Sequence, residues 1–143
     1  MSQNKTILLI YTGGTIGMLK GADNSLKPFD FEKLMAEIPE LKKLDVELNA
    51  IAFKKPIDSS NMNPKTWVYL AKLIGQHYKH CDGFVILHGS DTMAYTASAL
   101  SFLLEDLCKP VVLTGSQLPI GIRRTDAKEN LITAIEIAAS GNI

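Results

Sequence analysis

Hydroxyl and carboxylate side chains gather at three glycine-containing stretches, and their types suit nucleophilic catalysis. The stretches are Tyr11-Thr12-Gly13-Gly14-Thr15-Ile16-Gly17, His88-Gly89-Ser90-Asp91-Thr92 and Thr114-Gly115-Ser116-Gln117. A hydroxyl is a poor nucleophile at neutral pH and needs a base, or a chain of groups, to take its proton. Thr15 is the candidate nucleophile and Asp91 the candidate carboxylate. No histidine stands out as the base. His88 precedes a glycine at a strand end, His77 and His80 lie at a helix end, and structural or capping roles suit all three. No histidine pair sits at i and i+4 beside an acid, so metal-ligand spacing is absent and no metal is expected.

Each stretch follows an apolar run that must position it: Ile7-Leu8-Leu9-Ile10, Phe84-Val85-Ile86-Leu87 and Pro110-Val111-Val112-Leu113. Unbroken apolar runs of this length suit strands buried on both faces of a parallel sheet. Ligands bind in the crevice beyond the carboxyl ends of such strands. Thr12 and Thr15 would then sit at its mouth, and Thr12, Thr15, Ser59, Ser90 and Asp91 are expected to converge on one sheet edge. Other readings stand beside this one. A strand followed by Gly-Gly-Thr is also an ordinary loop, and Ser90 and Asp91 also suit the cap of a helix that begins at Met93. A dinucleotide fingerprint fits poorly, because the spacing is Gly13-Gly14-x-x-Gly17 and the next strand ends in Lys54-Lys55 instead of an acid. No Gly-Lys-Ser/Thr occurs, which excludes a P-loop.

Between these stretches the chain alternates strand and helix patterns, which predicts an α/β fold. Residues 20–27 lack apolar periodicity and are expected to form a mobile loop near the site, with lid closure open to it. Asp30 is placed to cap a helix over 31–38 that Pro39 ends. Alternation over 46–53 predicts a strand, and the polar run Asp58-Ser59-Ser60-Asn61-Met62 a loop. Asn63 and Pro64 then begin a helix with Trp67, Leu70, Ala71 and Ile74 on one stripe, ending near 78–80 where basic side chains suit its negative end. Trp67 reads as a core or interface anchor. A helix is expected over 93–106, and a last one from an N-cap at Thr125 to about 139, with Leu131, Ile132, Ile135 and Ala138 inward. Gly141-Asn142-Ile143 resembles a helix stop approaching a further strand.

The 143 residues suit one domain, and 46% hydrophobic residues suit a globular one. Fifteen basic residues balance fifteen acidic ones, so net charge favours neither nucleic acid nor an anionic membrane surface. A neutral small-molecule ligand, or none, is expected. The apolar runs are too short to span a bilayer, no signal peptide is evident, and Cys81 and Cys108 lack C-x-x-C spacing. They are expected to be reduced and buried, in a cytoplasmic protein.

Taken in order, Tyr11-Thr12-Gly13-Gly14-Thr15-Ile16-Gly17-Met18, Asp58-Ser59-Ser60-Asn61-Met62, Gly83 to Met93 through His88-Gly89-Ser90-Asp91-Thr92, and Thr114-Gly115-Ser116-Gln117-Leu118-Pro119 form a specific set. With them the chain resembles the bacterial L-asparaginase/glutaminase family, most closely its cytoplasmic type I members, from about residue 5 to residue 142. The resemblance implies a Rossmann-like three-layer α/β/α domain with a mostly parallel sheet. Residues 1–143 would be the family's N-terminal domain, its C-terminal domain lying outside this sequence. It further implies hydrolysis of L-asparagine to L-aspartate and ammonia through an acyl-enzyme on Thr15. Asp58, Ser59, Ser90, Asp91 and Ser116 would bind substrate, and Ser90 and Asp91 would also serve catalysis. Asp91 would pair with the substrate ammonium within a second hydroxyl-carboxylate-lysine relay whose lysine lies beyond Ile143. N–H groups near Gly89 and Ser90 would stabilise the oxyanion. A homo-oligomer, no cofactor and no metal are implied too.

Two positions depart from the family pattern. Serine stands at 90 where threonine is usual, and Leu26 stands near the place of a lid tyrosine that helps to activate the first threonine. The alternative function is a catalytically silent binding or interaction fragment. A nucleotide-binding domain is a third class, disfavoured by the glycine spacing.

Overall fold

Strand β1, Lys5–Tyr11, carries the first apolar run, and Ile7 to Tyr11 are buried in an unbroken row. The computed structural model describes residues 4–20, 26–27 and 29–141. Strands β2 (Leu19–Lys20) and β3 (Leu26–Lys27) pair antiparallel. Helix α1 (Phe31–Glu37), strand β4 (Val46–Ala52), helix α2 (Pro64–His77), strand β5 (Gly83–Leu87), helix α3 (Met93–Leu103), strand β6 (Val111–Thr114) and helix α4 (Ala127–Ser140) follow.

The main sheet has the order β4-β1-β5-β6, and every pairing in it is parallel. The chain leaves β1 to one side for β4, then returns across it to β5, so the direction of winding reverses between β1 and β5. That reversal opens a crevice at the carboxyl ends of those two strands.

Strand side chains alternate between faces, and two helices cover each face. Ile7, Leu9, Tyr11, Val85 and Leu87 pack with Leu34 of α1 and with Leu131, Ile135 and Ala138 of α4. Leu8, Ile10, Phe84 and Ile86 pack with Leu70, Leu73 and Ile74 of α2 and Leu100 of α3. The three-layer α/β/α arrangement follows from that division. Ile7, Leu9 and Ile10 are each 0% exposed, and full burial of such a side chain is worth roughly 1.5–3 kcal/mol.

Helix ends follow their sequence signals. Asp30 accepts from the Lys33 N–H over 3.1 Å, and Asn63 from the Thr66 N–H over 3.3 Å with Pro64 in the first turn. Thr125 Oγ1 accepts from the Ala127 N–H over 3.0 Å, although α4 begins one residue later than a Thr125 cap implies. Gly141, at φ +71°, stops α4.

Some expectations need correction. The 20–27 segment is bounded by the paired strands β2 and β3, and not by loop throughout; the lid expectation for 21–25 lies outside the described residues. Helix α3 stops at Leu103 and not at 106, after which Asp106 takes φ +50°. The turn brings Lys109 Nζ to the carbonyls of Tyr78 and Cys81, so Lys109 serves the carboxyl end of α2. Strand β6 starts at Val111 and is only partly buried, because among the described residues it pairs on one side alone. Cys81 and Cys108 are both free, but Cys108 is exposed. Among the described residues no helix is long and apolar enough to cross a membrane.

Candidate functional site

The three strands end level: Tyr11 pairs with Leu87, and Leu87 with Thr114. The ladder continues one residue further, with Thr12 N–H on the Leu87 carbonyl at 3.1 Å and His88 N–H on the Thr114 carbonyl at 2.9 Å. Beyond that point the backbones part and form loops. Gly13 and Gly14 have φ +145° and +86°, angles that side-chain-bearing residues rarely adopt. A Cβ at Gly13 would overlap the Ile57 carbonyl oxygen, and one at Gly14 would sit 2.6 Å from the Gly89 nitrogen. Missing side chains at these two positions let the loops after β1, β4 and β5 touch. The Ile57 N–H donates to the Thr12 carbonyl at 2.8 Å, and Thr92 Oγ1 to the Ser59 carbonyl at 2.7 Å.

A cavity of about 280 Å³ opens where these loops meet, lined by Thr15, Asp58, Ser59, Ser90, Asp91 and Ser116. All the residues named from the sequence as catalytic or substrate-binding thus share one space. Gly14, Gly89, Met18, Pro56, Ile57 and Gln117 complete its wall; the last four were not anticipated, because nothing in their types announces a ligand contact.

Each lining residue has its own support. Thr15 opens a single 3₁₀ turn, Thr15–Gly17. Behind it the Tyr11 hydroxyl donates to the Gly14 carbonyl at 3.0 Å, its ring stacks on Phe29 at 5.0 Å, and burial pushes the phenol pKa up. Asp58 accepts from the Ser60 N–H at 2.9 Å and the Ser60 hydroxyl at 2.8 Å, and the backbone bond chiefly holds its carboxyl below the usual range. Ser116 Oγ donates to the Leu118 carbonyl at 2.8 Å. Among the described residues, the Thr15 and Ser90 hydroxyls and the Asp91 carboxylate have no hydrogen-bond partner.

Two expectations change here. Thr12 does not stand at the cavity mouth: it is 0% exposed and its hydroxyl donates to the Leu87 carbonyl at 3.0 Å, which makes it part of the wall's foundation. Ser90 and Asp91 do not cap α3, whose N-cap is Thr92 with no side-chain cap bond. The capping reading of those two residues therefore fails.

Sequence reading also missed Asp126, whose carboxylate takes the N–H groups of Gln117 at 2.9 Å and Leu118 at 3.1 Å. Those bonds, Gln117 first, lower its pKa and tie the Ser116 loop to the start of α4. An acid just before a helical run was the available signal.

Two carboxylates and no described lysine or arginine line the cavity, so its field favours a ligand with a positive group. Hydroxyls beside them suit a ligand that also carries carbonyl or carboxylate oxygens. Among the described residues no cluster of three metal-ligating side chains exists.

Against known proteins, residues 6–143 match the family model described as Asparaginase, N-terminal. The chain is 46% identical over 140 residues to L-asparaginase 1 of Escherichia coli, covering 96% of this chain and 41% of that protein. It is 39% identical over 138 residues to the L-asparaginase of Thermococcus kodakarensis, covering 94% of this chain and 41% of that protein. Its fold superposes on the crystal structure of L-asparaginase I from Vibrio cholerae with a TM-score of 0.85 at 45% identity, over 96% of this chain and 42% of the other. The chain thus spans about two-fifths of the length of these asparaginases.

Proposed function

Because the chain belongs to the asparaginase family, matching the N-terminal part of its members, we propose that residues 1–143 act as that family's N-terminal domain and hydrolyse L-asparagine to L-aspartate and ammonia. The carrying observation is the convergence of Thr15 with two carboxylates and three serines around one cavity. An amino acid with an amide side chain offers the matching groups: an ammonium, an α-carboxylate and a polarised carbonyl.

The Thr15 oxygen attacks the side-chain amide carbon and gives up its proton, and the carbonyl oxygen takes negative charge. Backbone N–H groups around Gly89 and Ser90 suit that oxygen. Collapse expels ammonia, with the amide nitrogen taking up a proton, and leaves an ester on Thr15. Water then cleaves the ester, restoring the hydroxyl and releasing aspartate. Asp58 and Ser59 hold the amino-acid end with Ser116, and Asp91 pairs with the ammonium while Ser90 and Asp91 act with a lysine outside this sequence. The protein works as a cytoplasmic homo-oligomer, without cofactor.

A second reading is a catalytically silent fragment that binds the amino acid without turning it over, the cavity and its two carboxylates serving recognition alone. Ammonia release on adding asparagine, measured beside calorimetric binding of aspartate, separates the two. Release with binding supports hydrolysis, binding alone supports the silent fragment, and neither rejects both.

A further inference from the structure

The His88 imidazole lies beneath the cavity, 0% exposed, with both ring nitrogens engaged. Nδ1 is 2.6 Å from the Gly89 carbonyl oxygen and Nε2 is 2.8 Å from Thr96 Oγ1. The Trp67 indole N–H donates to that same hydroxyl at 2.9 Å. A carbonyl can only accept, so Nδ1 carries the ring proton. With the indole donating to Thr96, the Thr96 O–H is left to donate to Nε2, which completes a neutral tautomer. Burial lowers the imidazole pKa and keeps it neutral. The bonds thus run in one direction, from α2 through α3 to the loop after β5.

They end on the Gly89–Ser90 peptide. No cis peptide occurs among the described residues, and a trans peptide is planar with its C=O and N–H opposed. Drawing the Gly89 carbonyl down to His88 therefore turns the Ser90 N–H the other way, away from the buried ring, on a loop where Gly89 and Ser90 line the cavity. Strand β1 carries the same device, since the Tyr11 hydroxyl holds the Gly14 carbonyl and so the plane of the Gly14–Thr15 peptide.

We propose that Trp67, Thr96 and His88 form a positioning chain that aims the Ser90 N–H at the oxyanion of the amide hydrolysis, an inference that rests on the function proposed above. Loss of a whole oxyanion donor costs about 10²–10³ in kcat, and a loosened one should cost less. In the protein carrying this chain, Thr96→Val should lower kcat about 10-fold with KM within twofold. Thr96→Ser should restore kcat, which a packing role for the Thr96 methyl would not. Long-range ¹⁵N spectra of the wild-type ring should give a protonated Nδ1 and a bare Nε2, a measurement independent of whether any variant folds. A proton on Nε2, an unchanged kcat in Thr96→Val, or a rise in KM alone would overturn the proposal. Absence of turnover in the wild type would instead reject the hydrolysis, and the oxyanion role with it.

Discussion

Thr12 and Thr15 stand on one glycine turn, three residues apart, and have opposite fates. Thr12 is fully buried with its hydroxyl on a strand carbonyl, whereas Thr15 faces the cavity with its hydroxyl unbonded among the described residues. The contrast extends to two layers. Below lie Thr12, His88 and Thr96, each 0% exposed and each bonded, and no buried side-chain nitrogen or oxygen among the described residues lacks a partner. Above lie Thr15, Ser90 and Asp91, whose side chains keep their bonding capacity for a ligand. Rigidity is thus built into the layer that never meets the ligand, which is how a site can be preorganised yet open.

Variants of the upper layer should change function alone. Thr15→Ala removes the proposed attacking oxygen, and turnover should fall by about 10⁴-fold or more, while the urea midpoint should correspond to a stability within about 0.5 kcal/mol of wild type. A stability loss of several kcal/mol would move Thr15 into the lower layer. The turn beneath should behave in the reverse way. Gly13→Ala forces a Cβ into the Ile57 carbonyl at φ +145°, and should destabilise by about 4 kcal/mol or more. Urea unfolding measures it, and a cost below about 1 kcal/mol would mean that the loops give way.

His88 predicts how the lower layer responds to pH. Its pKa is lowered chiefly by burial, so in mildly acidic solution the unfolded chain binds a proton that the folded one refuses. Stability should be full above the unfolded value of about 6.5 and fall as pH drops toward the lower folded value, by up to about 1.4 kcal/mol per pH unit. Unfolding curves between pH 7.5 and 5.5, with the His88 ring followed by NMR, test this; a flat profile would mean that the ring accepts its charge in place. Smallest is Thr12→Val, which removes one buried hydroxyl and leaves the Thr12 N–H on Leu87. It should cost about 1 kcal/mol in unfolding and leave aspartate affinity, read by calorimetry, unchanged.

The upper layer was the more legible one. Contiguous apolar runs such as Phe84 to Leu87 announce buried strands, and glycine with hydroxyls after each run marks the crevice edge, so Thr15, Ser90 and Ser116 could be expected in one place. The lower layer was hidden because its contacts are tertiary: Trp67 reaches Thr96 only when α2 packs on α3, and His88 reaches Thr96 only when the loop after β5 folds back on α3. Hydroxyls of one type read alike on paper, and only the register separates Thr12 from Thr15. Strand β6 misled because an apolar run does not say whether a strand is paired on both sides. The β2–β3 pair was overlooked because two-residue strands carry no periodicity.

The order β4-β1-β5-β6 also governs when the protein can exist at all during its synthesis. Strand β1 is made early but lies between two strands made later, and Tyr11 has its partner on one side only once Leu87 has emerged. At roughly 5–20 residues per second that wait is on the order of 4–15 s. For that interval Ile7 to Ile10, the most apolar stretch of β1, has no neighbour on its β5 side. Only when β5 has emerged is β1 paired on both sides, and only then can the crevice between their carboxyl ends form.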